Sequence, residues 1–97
     1  MKWMEIIKIQ AAGYDHSSLE GQLTELVSKL ANGNGMKEMK LYRNAAVNND
    51  LCIHLYWESP KAQVQGSETG LCILHLLREF GLIAHSVWVE EMNTGKK

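Results

Sequence analysis

The sequence predicts one small α+β domain of βαββαβ order. Three observations predict it. Two apolar stripes at helical spacing, Leu19 to Leu30 and Ile73 to Phe80, each lie between segments with the two-residue period of a strand. Turn-forming clusters rich in Gly and Asn, and the only proline, Pro60, separate these segments. The chain has 97 residues with ordinary apolar and charged fractions, which suits a single folded domain spanning 1–97.

The elements follow in order. Trp3 to Ala11 is rich in Ile and free of Gly and Pro, and reads as a strand that Gly13 to His16 break. Ser17 opens the first helix, with Glu20 three positions on in a capping-box arrangement. Leu19, Leu23, Leu26, Val27 and Leu30 form its apolar stripe, and Asn32-Gly33-Asn34-Gly35 ends it with residues that tolerate positive φ. Met36 to Ala46 is the second strand, with Met39 and Leu41 on one face and Glu38, Lys40 and Tyr42 on the other. Asn48-Asn49-Asp50 turns the chain into Leu51 to Trp57, where Leu51, Ile53, Leu55 and Trp57 alternate with Cys52, His54 and Tyr56. A loop from Ser59 to Gly66 leads to a second helix opened by Ser67 or Glu68. Ile73, Leu76, Leu77 and Phe80 are its buried stripe, and Gly81 is its stop. Ile83 to Glu91 is the last strand, with Ile83, His85, Val87 and Val89 facing one way. Residues 93–97 form a polar tail.

Right-handed crossovers convert this order into a four-stranded antiparallel sheet with both helices on one face, the ferredoxin-like arrangement. The helical stripes then cover Ile7, Ile9, Leu41, Ile53, Leu55, Val87 and Val89. The opposite face carries Met4, Ile6, Lys8, Tyr42, Cys52, His54, Tyr56 and Trp88. Apolar and aromatic residues gathered on a face without helices mark an interface. A chain this short buries only about two-thirds of its unfolded surface, so a partner subunit adds to its stability. The expectation is a homodimer joined through this face, with Tyr42, His54, Tyr56 and Trp88 at the interface.

Composition excludes several classes. A formal net charge of −1 offers no attraction to nucleic acid or acidic membranes. RNA-recognition domains share the βαββαβ order, but Leu51 to Trp57 lacks their aromatic and basic pattern. No stretch approaches the roughly 20 apolar residues of a membrane span, and Glu5 and Lys8 interrupt the N-terminal apolar run. Cys52 and Cys72 lie on different elements without a CxxC spacing, which suits reduced thiols and a cytoplasmic location. His16, His54, His75 and His85 show no metal-binding spacing, neither Cys sits in an electropositive setting, and no glycine-rich loop opens a helix. Neither a metal nor another cofactor is expected.

Two stretches carry a family resemblance. Leu55-Tyr56-Trp57-Glu58-Ser59 is similar to the Trp-x-Ser that closes the third strand in antibiotic-biosynthesis-monooxygenase-like proteins of the dimeric α+β barrel superfamily. Phe80-Gly81-Leu82-Ile83-Ala84-His85-Ser86-Val87-Trp88 is similar to their junction of second helix and last strand. The resemblance implies a homodimer whose two sheets close into a barrel. For enzymatic members it implies oxidation of phenolic, quinol or polyketide substrates by dioxygen without a bound cofactor. Haem-degrading relatives carry an Asn on the first strand and a His soon after the Trp. Here the first strand offers Gln10 and the next His is His75, so that pattern is not met.

Within this frame Trp57 is the candidate substrate-binding residue, since its flat indole can stack on an aromatic molecule. His85 is the candidate catalytic base. An imidazole on an apolar wall can take the proton of a phenol or quinol, and the resulting electron-rich anion is what reacts with dioxygen. The plainer reading makes both of them core residues with locally satisfied polar atoms, His54 and Tyr56 a structural hydrogen-bonded pair, and His75 a solvated surface residue. The rival function is a non-catalytic homodimer of the same fold that binds a small ligand or serves structurally. The discriminating feature is a cavity between sheet and helices bordered by Trp57 or His85.

Overall fold

The computed structural model describes residues 1–11, 16–30, 35–47 and 50–95. Its elements are β1 (Lys2–Ala11), α1 (His16–Leu30), β2 (Met36–Arg43), β3 (Asp50–Glu58), α2 (Glu68–Leu77) and β4 (Gly81–Val89). The strands form one antiparallel sheet in the order β2-β3-β1-β4. This is the ferredoxin-like βαββαβ arrangement that the sequence predicts.

Strand alternation places Trp3, Glu5, Ile7 and Ile9 of β1 and Leu51, Ile53, Leu55 and Trp57 of β3 on one buried face. Leu19 and Leu23 of α1 and Ile73 and Leu77 of α2 complete the same core, and Met39, Leu41, Ile83 and Val87 border it. Each fully buried aliphatic side chain contributes roughly 1.5–3 kcal/mol. β1 lies at the centre, paired through Ile7 with Ile53 on one side and His85 on the other.

Several boundaries differ from the expectation. β2 ends at Arg43 because Asn44 folds the chain over: its Oδ1 accepts from Ala46 N at 2.8 Å and Val47 N at 3.1 Å, an Asx turn that competes with the ladder. A bulge between Met36 and Glu38 starts the same strand. α1 begins at His16, one residue before Ser17; the Ser17–Glu20 capping box lies outside the described side chains, as does the turn at residues 31–34. Gly35, at its end, has φ +89°. α2 ends at Leu77 with Arg78 as its cap, so Gly81 opens β4 instead of stopping the helix. Val89 has the inward register yet is exposed: it is the last residue of β4, an edge strand, while its neighbours Trp3 and Trp57 on the inner strands are buried. No helix among the described residues is long and apolar enough to cross a membrane.

Candidate functional site

Among the described residues, the inward face of the sheet buries one charged side chain. Glu5 stands between Trp3 and Ile7 on the inward register of β1 and is 0% exposed. A carboxylate there is tolerable only if its oxygens are filled. Oε2 accepts from Ser67 N at 3.0 Å and contacts His85 Nε2 at 2.9 Å, while Oε1 accepts a short hydrogen bond from Ser67 Oγ. Ser67 is also the N-cap of α2, its Oγ accepting from Gly70 N at 2.9 Å. Glu5 therefore lies against the N-terminus of α2. Two glycines make the approach feasible. A Cβ at Gly70 would stand 2.8 Å from the Glu5 carboxyl carbon, and one at Gly66, where φ is +105°, would stand 2.6 Å from His85 Cε1. His85 keeps 17% of its side chain exposed.

At the other end of the same face the indoles of Trp3 and Trp57 stack, with centroids 5.3 Å apart and planes 14° apart. Trp3 Nε1 donates to Ser59 Oγ at 2.8 Å, and that hydroxyl donates to the Lys61 carbonyl at 2.8 Å. The serine of the Trp57-Glu58-Ser59 stretch thus serves the neighbouring strand's tryptophan. Trp57 is 4% exposed and its Nε1 is buried without a hydrogen-bond partner. A cleft of about 470 Å³ opens here, bordered by Trp3, Met4, Tyr56, Trp57, Trp88 and Val89 with Lys2 and Lys37 at its rim.

The outer face of the sheet holds an aromatic cluster. His54 Nδ1 is 3.1 Å from Tyr56 Oη, the Tyr42 and His54 rings lie 4.7 Å apart, and Lys40 Nζ sits 5.5 Å from the Tyr56 ring centre. Burial, then the charges of Lys40 and Lys8, hold the His54 imidazolium below its ordinary pKa of 6.5. Burial and hydrogen bonding with Tyr42 push the Tyr56 phenol up. Burial raises the Cys52 thiol, partly offset by Lys8. Trp88 donates its Nε1 to Ser86 Oγ at 2.8 Å and is 56% exposed. A second cleft, about 430 Å³, lies between Lys8, Tyr42, Cys52 and Ala84. Cys52 and Cys72 are both free.

The structure puts Trp57 and His85 on one face but does not bring them together. Trp57 pairs with Trp3, His85 with Ile7, and β1 runs between them. Four positions along β1 and two strand spacings across give a separation of about 16 Å. Trp57 borders a cleft; His85 borders neither of the two clefts described. Tyr42, His54, Tyr56 and Trp88 do share the outer face, as their register requires. His75 is exposed on α2. Reasoning from sequence missed Glu5, reading it as a break in an apolar run. The signal was present: in a strand, Glu5 has the parity of Trp3, Ile7 and Ile9, so it must point inward.

No protein-family model matches the chain, and no curated protein matches it in sequence. Its fold does match solved structures. SnoaB, a cofactor-independent oxygenase from Streptomyces nogalater, is 12% identical, with 98% of each chain covered and a TM-score of 0.72. Rv0793 from Mycobacterium tuberculosis is 16% identical over 98% of this chain and 100% of its own, at a TM-score of 0.69. A Bordetella bronchiseptica protein described as a candidate antibiotic biosynthesis monooxygenase is 13% identical over 94% and 98%, also at 0.69. The chain therefore shares the fold of these solved structures, a cofactor-independent oxygenase among them.

Proposed function

We propose that the chain is a cytoplasmic homodimer that oxidises a small aromatic molecule of phenol, quinol or polyketide type with dioxygen and without a bound cofactor. The observation that carries this reading is His85, a partly exposed imidazole held at 2.9 Å by a fully buried carboxylate. A base oriented by a second group is the arrangement that proton abstraction needs. His85 takes the proton of a substrate hydroxyl, and the aromatic anion left behind gives electrons to dioxygen. The likeness to SnoaB supports the class of chemistry by analogy of fold alone. The outer aromatic face, with Tyr42, His54, Tyr56 and Trp88, is where the second copy joins.

A second reading is favoured by one observation: the cleft is bordered by Trp57, about 16 Å from the base, and His85 does not line it. In that reading the protein is a non-catalytic homodimer that holds a flat molecule against Trp57. Titration of hydroquinones and naphthols, with oxygen uptake and tryptophan fluorescence followed together, separates the two. Uptake by native protein that is lost in His85→Ala and retained in Trp57→Phe supports the oxygenase. Binding without uptake, weakened by Trp57→Phe alone, supports the binding module. Neither binding nor uptake would reject both.

A further inference from the structure

We propose that Glu5 is the positioning residue for His85 and that it makes Nδ1, not Nε2, the nitrogen that accepts the substrate's proton. This rests on the reading of His85 as the base. Ser67 N–H points to Glu5 Oε2. Ser67 Oγ already accepts from Gly70 N–H, so it gives its own proton to Oε1. Both carboxylate oxygens of this fully buried side chain thus accept from Ser67, and a carboxylate offers a third group acceptors only. The His85 Nε2 at 2.9 Å must then bring a proton to it. A neutral imidazole carries one N–H, so the lone pair lies on Nδ1.

The clasp has little freedom to rearrange. A Cβ at Gly70 would overlap the carboxylate, and one at Gly66 would overlap the imidazole, so both rings of contact are closed to within the space a methyl group would occupy. Glu5 on β1, Ser67 at the head of α2 and His85 on β4 are joined by contacts spanning 62 and 80 positions of sequence. The ring is thereby fixed in tautomer and in direction. When it acts, the substrate O–H bond breaks, an Nδ1–H bond forms and the electron pair stays on the substrate oxygen. The new imidazolium is matched by the Glu5 carboxylate through Nε2–H.

The test needs no substrate. Histidine ¹⁵N labelling of the full chain, with long-range ¹H–¹⁵N correlation, reads the tautomer of neutral His85 directly. The Nε2–H form is expected to dominate in native protein. In Glu5→Gln, which keeps the shape and removes the charge, the ratio should fall by about tenfold or invert. A dominant Nδ1–H form in native protein overturns the assignment, and so does an unchanged ratio in a folded Glu5→Gln variant. If that variant does not fold, the native spectrum alone decides. Failure here is distinct from failure of the oxygenase reading: Nε2–H dominance without oxygen uptake would sink the chemistry and leave the positioning intact.

Discussion

The two faces of this sheet treat polar chemistry in opposite ways. On the inner face, Glu5 is wholly buried and its oxygens are filled from within the chain by Ser67 and His85. On the outer face, Tyr42, His54, Tyr56 and Trp88 lie half-covered or exposed, bonded mostly to neighbours on the same face. A buried group with every partner supplied belongs to the monomer's own stability and to whatever site the monomer makes. A face that gathers aromatics and leaves them half in water is the one through which we propose that a second copy joins. The difference separates what the single chain supplies for itself from what that proposal asks of a partner.

The contrast is broken most severely at Gly70. Gly70→Ala drives a methyl into the Glu5 carboxylate and leaves the charge without its cradle. Urea denaturation should show a loss on the order of 3–5 kcal/mol, the cost of leaving a buried charge uncompensated. A loss under about 1 kcal/mol would mean that the carboxylate has somewhere else to go. Trp88→Glu acts on the other face. Sedimentation at micromolar concentration should move from twice the chain mass to the chain mass, because an unpaired charge would be buried at several kcal/mol in the interface. The monomer's own unfolding should change by no more than about 0.5 kcal/mol. A native protein already monomeric would remove the outer face from the argument.

The smallest effect belongs to His54. Its imidazolium is disfavoured in the folded chain, by burial and then by Lys40 and Lys8, relative to an ordinary pKa of 6.5. The stability that neutral His54 carries is whole above pH 6.5. It declines as pH falls below that value, where the unfolded chain takes up a proton that the folded chain resists. His54→Gln should flatten this decline between pH 7 and about pH 5 in denaturation followed by circular dichroism.

The fold was legible because strand and helix periods are strong and independent signals. Ile7, Ile9, Ile53, Leu55, Ile73 and Leu77 are all buried where their periodicity puts them. The outer face was legible for the same reason: parity alone sorts Tyr42, His54, Tyr56 and Trp88 together. The site was legible only in part. His85 could be placed on the inner face, but its partner is 80 positions away, and pairing across β1 is a property of topology that no local pattern carries. The distance between Trp57 and His85 depended on the same topology. The role of Ser67 was half visible: a serine before a helix announces a cap, yet its second bond, to Glu5, needs the sheet.

The central place of β1 has a consequence for how the molecule forms. Ile7 pairs with Ile53 and His85, which lie 46 and 78 positions further along the chain. β1 leaves a ribosome before the other three strands and must therefore wait, with its inward carboxylate unfilled, until β4 has followed. Loops of that length must close before the central pairings return any free energy, so folding should be slow for a domain of this size. A carboxylate left in solvent through that interval keeps β1 from being a continuous apolar edge. Until Ser67 and His85 reach it, Glu5 is the kind of charge that disfavours association through an apolar edge.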